Sequence, residues 1–99
     1  MIDAELFRAL GNERRLQILE WLKDPCAHFP PQRDGDLIKD GVCGQSIAEK
    51  LGINASTLSE HMRVLQASEL VTARRIKQWT FYRRNDDRIG TLAALVDTI

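Results

Sequence analysis

The sequence predicts a mainly α-helical fold with a small β-hairpin, arranged as a winged helix-turn-helix. Three observations favour this fold. Residues 45–71 form two short amphipathic segments joined by Gly52, residues 71–84 are rich in strand-forming and basic side chains, and apolar stripes with helical spacing lie on either side. A helix pair followed at once by a hairpin is the order of a recognition helix and its wing.

The first two helices are predicted from apolar residues three or four positions apart. The N-terminal stripe consists of Ile2, Leu6 and Leu10. Gly11 ends this helix and Asn12 caps the next, because an asparagine oxygen can accept a hydrogen bond from a free amide of the first turn. The apolar face of the second helix consists of Leu16, Leu19 and Leu22, with Ile18 and Trp21 beside them. Pro25 stops that helix, since proline lacks the amide that would continue it.

A loop at about 24–44 follows the second helix and is rich in Pro, Asp and Gly. Its length exceeds the usual helix connection of about 2–8 residues, and loops of such length are either functional or disordered. The apolar anchors Phe29, Leu37, Ile38 and Val42 predict partial order. We expect the loop to pack over a dimer interface or to shape an effector pocket.

Two cysteines and a histidine in and near this loop allow three interpretations. Cys26, His28 and Cys43 are weak candidates for a metal site, with a fourth ligand from Asp34, Asp36 or Asp40. Cys26 and Cys43 are also candidates for a reversible disulfide. The third interpretation is two unpaired cysteines, one of them in the core, which we prefer because free cysteine is among the most buried residue types. No cofactor is therefore expected.

The helix-turn-helix itself occupies residues 45–71. Gly52 closes its first helix, because glycine enters the left-handed region without a Cβ clash. Asn54 caps the second helix. The core face of this second helix consists of Leu58, Met62 and Leu65. The outward side chains are candidates for contacts in the DNA major groove, and they are Ser56, Thr57, Ser59, Glu60 and Arg63.

A β-hairpin is predicted over residues 71–84, turning at Lys77 and Gln78. Residues 60–84 carry 6 basic and 2 acidic side chains, net +4, although the whole chain is neutral with 14 of each. This local charge indicates phosphate as the partner. A solvated hairpin whose arginines protect the sheet edges is the alternative. The candidates for contacts to the DNA backbone or minor groove are Arg74, Arg75, Lys77 and Gln78.

Asn85 and Asp86 begin a predicted last helix, where acidic residues suit the helix dipole. Its apolar stripe consists of Ile89, Leu92, Val96 and Ile99. The first and last helices carry more apolar surface than a small core can cover, which predicts a homodimer through the N- and C-terminal helices. Two recognition helices could then read half-sites about 34 Å apart.

The length of 99 residues predicts a single winged-helix DNA-binding domain over 1–99. No apolar run is long enough to cross a bilayer, so no membrane partner is expected. The first ten residues lack the basic start and apolar core of a signal peptide, which predicts a cytoplasmic protein. The sequence contains no Ser/His/Asp constellation, Gly-rich phosphate loop or evident carboxylate pair, so it is not expected to be an enzyme.

Three segments in this order, FRALGNERRLQILEWL, SIAEKLGINASTLSEHMRVLQASELV and RRIKQWTFYRR, resemble the ArsR/SmtB family of bacterial transcriptional repressors. The resemblance covers nearly the whole chain apart from the loop. Its most specific blocks lie at residues 7–12 and at Thr57, Ser59 and His61. It implies a homodimeric winged-helix repressor, ordered α1-α2-α3-α4-β1-β2-α5, that binds an imperfect palindrome in a promoter. It also implies release from DNA when an inducer arrives.

Several positions depart from the family pattern. Glu60 stands where a basic residue is common, and it could accept a hydrogen bond from cytosine N4 or serve as a surface carboxylate. Glu69 replaces the family's glycine after the recognition helix, which would cost roughly 1 kcal/mol if that residue is left-handed. His61 is expected to be a packed, hydrogen-bonded residue that orients the helix, rather than a base reader or a metal ligand.

Neither metal site known in the family is expected. Cys43 matches the first position of the Cys-x-Cys pair of metal-sensing relatives, but the second position is Gln45. One thiolate cannot complete a tetrahedral site. The zinc site of the last helix needs histidine, and residues 86–99 contain none.

The predicted function is a sequence-specific DNA-binding transcriptional regulator, a dimeric repressor released by an unknown inducer. The alternative is a winged-helix protein–protein interaction module without selective DNA binding. Such a module would not need the cations Arg74, Arg75 and Lys77 clustered at the wing, so replacing them by alanine separates the two functions.

Overall fold

The computed structural model describes residues 3–99, which form seven helices and three strands. The helices are α1 Ala4–Leu10, α2 Glu13–Lys23, α3 Pro25–His28, α4 Gly44–Leu51, α5 Ala55–Ala67, α6 Asp86–Gly90 and α7 Leu92–Asp97. The strands are β1 Val42–Cys43, β2 Val71–Ile76 and β3 Trp79–Arg84. The predicted winged helix-turn-helix is confirmed, with α4 and α5 as the helix pair and β2 and β3 as the wing. The short helix α3 and the strand β1 are absent from the predicted order.

Side-chain caps fix where the main helices begin. Asn12 Oδ1 accepts from the Arg15 amide at 3.1 Å, and Asn54 Oδ1 accepts from the Thr57 amide at 2.8 Å. Asn85 plays the same part at the start of α6. Each cap satisfies an amide that has no partner within its helix. The three predicted helix starts therefore agree with the structure.

The core lies where α1, α2, α4 and α5 meet the sheet. Its largest fully buried side chains are Phe81, Leu6, Ile18, Ile47, Met62, Leu65, Leu70 and Val42. Three of these, Ile47, Met62 and Leu65, come from the helices α4 and α5, so α5 is held by its apolar face while its polar face remains in solvent. Ile2, the first member of the predicted N-terminal stripe, lies outside the described residues.

The sheet has the strand order β1-β3-β2 and is antiparallel throughout. In the wing, Ile76 pairs with Trp79, which leaves Lys77 and Gln78 as the predicted turn. The unpredicted strand β1 adds to the other edge of β3, with Cys43 opposite Phe81. Two residues are too short a run to show period-two alternation in a sequence. Through β1, the end of the long loop is joined directly to the wing.

Two helix ends share one geometry but differ in sequence. After α4, Gly52 has φ 73°, and after α5, Glu69 has φ 61°. At both ends a pair of reverse hydrogen bonds closes the helix, such as Leu70 N–H to Leu65 O and Glu69 N–H to Gln66 O. Glu69 therefore adopts the left-handed conformation in which glycine is expected, as the sequence suggested.

Two details of the predicted helices are corrected. Leu16 is exposed rather than part of the buried face of α2, which Ile18, Leu19 and Leu22 form. At about 100° per residue, Leu16 lies about 120° around the helix from Leu22. The last helix is also not continuous. It breaks between Gly90 and Leu92, where glycine has a low helix propensity and the Thr91 hydroxyl donates to Arg88 O at 2.7 Å.

Candidate nucleic-acid interface

The outward face of α5 presents a row of short polar side chains. Leu58, Met62 and Leu65 are buried, as predicted, and fix the rotation of the helix. Thr57 is half-buried and the other four predicted groove residues are exposed: Ser56, Ser59, Glu60 and Arg63. Hydroxyl and carboxylate oxygens and a guanidinium therefore point away from the body of the protein, where base edges could be reached.

Glu60 and Arg63 form an ion pair on this face. Arg63 Nε donates to Glu60 Oε2 at 3.0 Å, and a second hydrogen bond joins Nη2 to Oε1. The hydrogen bond from Arg63 holds the pKa of Glu60 below its usual value. The Glu60 carboxylate is therefore charged at neutral pH, and the positive charge of Arg63 balances it. Glu60 can accept a hydrogen bond from a base without leaving its negative charge uncompensated next to phosphate.

His61 lies on the inner edge of α5 and is tied to the end of α1 through Arg15. Arg15 Nη1 lies 3.2 Å from His61 Nδ1, and Arg15 Nε donates to Ala9 O at 2.6 Å. A guanidinium can only donate, so Nδ1 must accept and the ring is neutral. Burial and the charges of Arg15 and Arg14 lower the pKa of His61. This is the hydrogen-bonded role that the sequence predicted for His61.

The pairing of the wing strands divides its basic residues between two faces. Arg74 is opposite Phe81 and Arg75 is opposite Thr80. Successive side chains of a strand point to opposite faces of a sheet, so Arg74 and Arg75 cannot share one. The face of Arg75 also carries Thr80, which lies with α5 residues around one cleft. The face of Arg74 is covered by the long loop.

The loop contributes two acidic partners to the wing. Arg74 Nη1 lies 3.0 Å from Asp40 Oδ1, and Lys77 Nζ lies 3.0 Å from Asp34 Oδ1. Arg75 instead donates from Nε to Lys77 O at 3.1 Å, which braces the turn. The sequence offered Asp34 and Asp40 only as metal ligands. Their true partners are more than thirty positions away, so no local pattern could indicate them.

An open cleft of about 430 Å³ is lined by the loop, by α4 and by the wing. Arg33 and Asp34 line it from the loop, and Gln78, Trp79 and Phe81 line it from the wing. The predicted wing residue Gln78 is exposed and lies at this cleft. The volume falls within the range of small-molecule sites, roughly 300–1,000 Å³. The predicted loop therefore shapes a pocket against the wing.

Comparison with known proteins decides the family. A model of the family described as "Bacterial regulatory protein, arsR family" matches residues 42–73. Along 99% of its length the chain is 44% identical to an uncharacterized HTH-type transcriptional regulator, YbzH of Bacillus subtilis, covering 98% of that protein. The chain belongs to the ArsR family of HTH-type transcriptional regulators.

Two further comparisons extend over nearly the whole chain. The HTH-type regulator MJ1325 of Methanocaldococcus jannaschii is 30% identical across 97% of this chain and 92% of its own length. The solution structure of the homodimeric winged helix-turn-helix DNA-binding domain of Mb0332 from Mycobacterium bovis has a TM-score of 0.67 and 32% identity. The match covers 96% of this chain and 74% of the Mb0332 chain. The predicted family, fold and role as a transcriptional regulator are thereby confirmed.

The structure does not gather the weak metal candidates of this ArsR-family chain. Within residues 3–99, no three His, Cys, Asp or Glu side chains lie close enough together to hold a metal ion, so Cys26, His28 and Cys43 do not form a triad. Both cysteines are free thiols, as we preferred, but neither lies in the core as predicted, since Cys26 is exposed and Cys43 is half-buried. Cys26 is the second residue of the short helix α3, whereas Cys43 belongs to β1 beside the wing. The proposed Cys26/His28/Cys43 site is therefore not supported by the geometry.

Sequence reasoning missed one structural link to the recognition helix. Arg15 contacts His61 although 46 residues separate them, and the same side chain also donates to the carbonyls of Arg8 and Ala9. It therefore fixes α5 against the end of α1. A second long-range contact joins Arg88 of α6 to Asp3, the residue before α1, at 2.8 Å. No helix of the described chain is long and apolar enough to cross a membrane.

Proposed function

We propose that this ArsR-family protein is a homodimeric repressor that binds a palindromic operator in double-stranded DNA and is released by an inducer. The exposed polar face of α5 carries the proposal, because it is held outward by three buried apolar residues on the opposite side. The proposed groove contacts are Ser56, Thr57, Ser59, Glu60 and Arg63. Hydroxyl, carboxylate and guanidinium groups of these types form the usual contacts to base edges.

The wing supplies the proposed phosphate contacts. Arg75 lies on the sheet face shared with the α5 cleft, while Lys77 and Gln78 occupy the exposed tip. Arg74 lies on the other face and would reach the DNA backbone beside the groove. Backbone contacts give affinity and register, whereas base contacts give sequence preference. We therefore propose that α5 determines which DNA sequence is preferred and that the wing contributes salt-dependent affinity.

A homodimer through the first and last helices is proposed from the apolar surface left on the single chain. Val96 and Ile99 at the C-terminal end are exposed, and Leu10, Leu92 and Leu95 are only partly buried. The ion pair between Arg88 and Asp3 holds α6 beside the residue that precedes α1, so the two ends of the described chain are joined at this point. The homodimeric state of the Mb0332 domain supports a homodimer here.

Occupancy of the operator would block transcription, and an inducer would reverse it. The cleft between the loop and the wing has room for a small molecule. We propose no metal or other cofactor and no catalytic role. We also propose that the chain works as a single domain in the cytoplasm, because a transcriptional regulator must share a compartment with its DNA.

The test uses a duplex enriched by the wild-type protein from a random DNA library. Substitution Arg74→Ala, Arg75→Ala and Lys77→Ala together should weaken binding and reduce the slope of log K against log salt by about 1 per lost phosphate contact. Ser59→Ala should instead reduce preference for the enriched duplex over an unrelated one. Lys23→Ala, an exposed cation at the end of α2, is the control for lost charge.

Two results would contradict the proposal. Wing variants that bind like the Lys23 variant would remove the role assigned to the wing. A wild-type protein that enriches no sequence would favour the protein–protein interaction module instead.

A further inference from the structure

Residues 30–41, called here the acidic strap, lie directly on one face of the wing. The fit is close at two glycines. A Cβ placed on Gly35 would come within 2.5 Å of the Phe81 ring, and one on Gly41 would come within 2.4 Å of Tyr82 O. Gly41 also has φ 108°, which disfavours any other residue. The strap therefore packs against the Phe81 ring at Gly35 and against the backbone at the edge of β3 at Gly41, so it is fitted to the wing at two points rather than being a loose connection.

Hydrogen bonds within the strap fix its shape. Gln32 Nε2 donates to Gly41 O at 2.9 Å and to Gly35 O at 3.2 Å, while its Oε1 accepts from the Cys43 amide at 2.7 Å. One amide side chain therefore joins the beginning, middle and end of the strap. Asp40 Oδ2 also accepts from the Asp36 amide at 2.9 Å. The carboxylates are consequently presented from a defined backbone.

Two carboxylates of the acidic strap form ion pairs with two cations of the wing, and the acids are less exposed than the cations. Asp40 and Asp34 expose 12% and 24% of their side chains, whereas Arg74 and Lys77 expose 59% and 68%. The acids are thus held in place and the cations lie largely in solvent. Long basic side chains can turn toward another anion without moving the backbone. The pair can be broken by motion of the cation alone.

We infer that the acidic strap is an intramolecular competitor of DNA phosphate, which lowers the affinity of the wing for DNA. The inference rests on the proposed function, because the same Arg74 and Lys77 are the proposed phosphate contacts. Each cation must leave its carboxylate, or share itself between carboxylate and phosphate, when DNA binds. Arg75 lies on the opposite face and donates to a backbone carbonyl, so it escapes this competition.

The opposite role for the strap would be to aim the cations at DNA. In that case neutralising the acids would weaken binding, since misdirected side chains lose contacts. Competition predicts the reverse sign. It also predicts that the effect is uniform across sequences, because phosphate contacts carry no sequence information. The sign and the uniformity of the change are therefore the two readouts.

The decisive variant is Asp34→Asn, because its side chain contacts only Lys77 among the hydrogen bonds of the described chain. We expect its affinity for both the enriched and an unrelated duplex to rise about two- to threefold, and that of the double variant with Asp40→Asn to rise about three- to tenfold. Glu20→Gln on α2 is the matched control: it removes the same charge from an exposed residue that forms no ion pair within residues 3–99.

A double-mutant cycle isolates the contact from the general charge effect. In a Lys77→Ala background, Asp34→Asn should raise affinity no more than Glu20→Gln does. Circular dichroism of each variant checks folding, and Asp34→Asn keeps the test valid if the Asp40 variant loses its hydrogen bond to Asp36 and unfolds. A rise in affinity for both duplexes, lost in the Lys77→Ala background, supports the inference.

Three results would overturn it. Asp34→Asn could match Glu20→Gln in wild-type background, or it could weaken binding, or its effect could persist without Lys77. In each case wild-type protein still binds DNA and the proposed function stands. A wild-type protein without selective DNA binding would instead overturn the proposed function, and the inference with it.

Discussion

Replacing Glu69 by glycine should stabilise the protein. Glu69 has φ 61° and follows the recognition helix, where its amide and that of Leu70 close the helix through reverse hydrogen bonds. Asn85 Nδ2 also donates to Glu69 O at 2.8 Å, so the backbone is fixed on both sides. The strained conformation is therefore imposed by the fold, and removal of Cβ relieves it without loss of these contacts.

The magnitude follows from two opposing terms. A non-glycine residue in the left-handed region costs about 1–2 kcal/mol. Glycine enlarges the conformational freedom of the unfolded chain, which costs about 0.4–1 kcal/mol. The expected gain for Glu69→Gly is the difference, about 0.5–1 kcal/mol, or a rise in Tm of about 2–8 °C for a chain of this size.

Urea unfolding followed by circular dichroism, at one fixed protein concentration, measures the gain. Glu69→Gln is the control, because it keeps Cβ but removes a negative charge from the end of a helix, where the dipole disfavours it. Gly52→Ala tests the opposite change. Within residues 3–99, the new Cβ would meet no atom of another part of the fold within 4 Å, so only the strain at φ 73° should destabilise this variant. A gain in Glu69→Gly no larger than in Glu69→Gln would refute the backbone argument.

Three further predictions concern other parts of the molecule. Because the pKa of His61 is lowered in the fold, the stability it contributes is complete above about pH 6.5. This stability should fall as the pH drops below that value. Between pH 7 and pH 5, thermal unfolding should therefore show a smaller loss of stability for His61→Asn than for the wild-type protein, and an equal loss would contradict this. Gly35→Ala should lower the free energy of unfolding in urea by about 1–3 kcal/mol, because its Cβ meets the Phe81 ring. Gly90→Ala is the control and should cause no such loss, since its Cβ would enter open space in the described part of the chain. Equal losses in the two variants would contradict the close fit of the strap. Val96→Asp should yield folded monomers in analytical ultracentrifugation, since the charge would be buried in the proposed dimer; an unchanged dimer would place the interface elsewhere.

The helix-turn-helix could be predicted closely because its signals are local. Gly52, Asn54 and the stripe of Leu58, Met62 and Leu65 each act within one or two helical turns. The wing was equally accessible, since strand-forming residues flank a two-residue turn. Leu16 was misplaced because helical spacing alone does not fix which neighbouring apolar residue faces the core.

What escaped prediction depends on contacts between distant parts of the chain. Strand β1 forms by pairing with the edge of β3, with Cys43 opposite Phe81, and the strap docks on the wing through the fit of Gly35 against Phe81. The pairing of Arg74 with Asp40 likewise depends on that docking. The sequence showed that the wing is basic, but not that part of its charge is already occupied by the protein's own carboxylates.

The most direct measurement of the central claim is selection of duplexes from a random library by the wild-type protein, followed by titration of the best duplex and an unrelated one at several salt concentrations. The account predicts an enriched site with two-fold symmetric half-sites and binding at least about 10³ times tighter than to the unrelated duplex. Affinity should fall steeply as salt rises. Equal binding to both duplexes, or no enriched sequence, would contradict it.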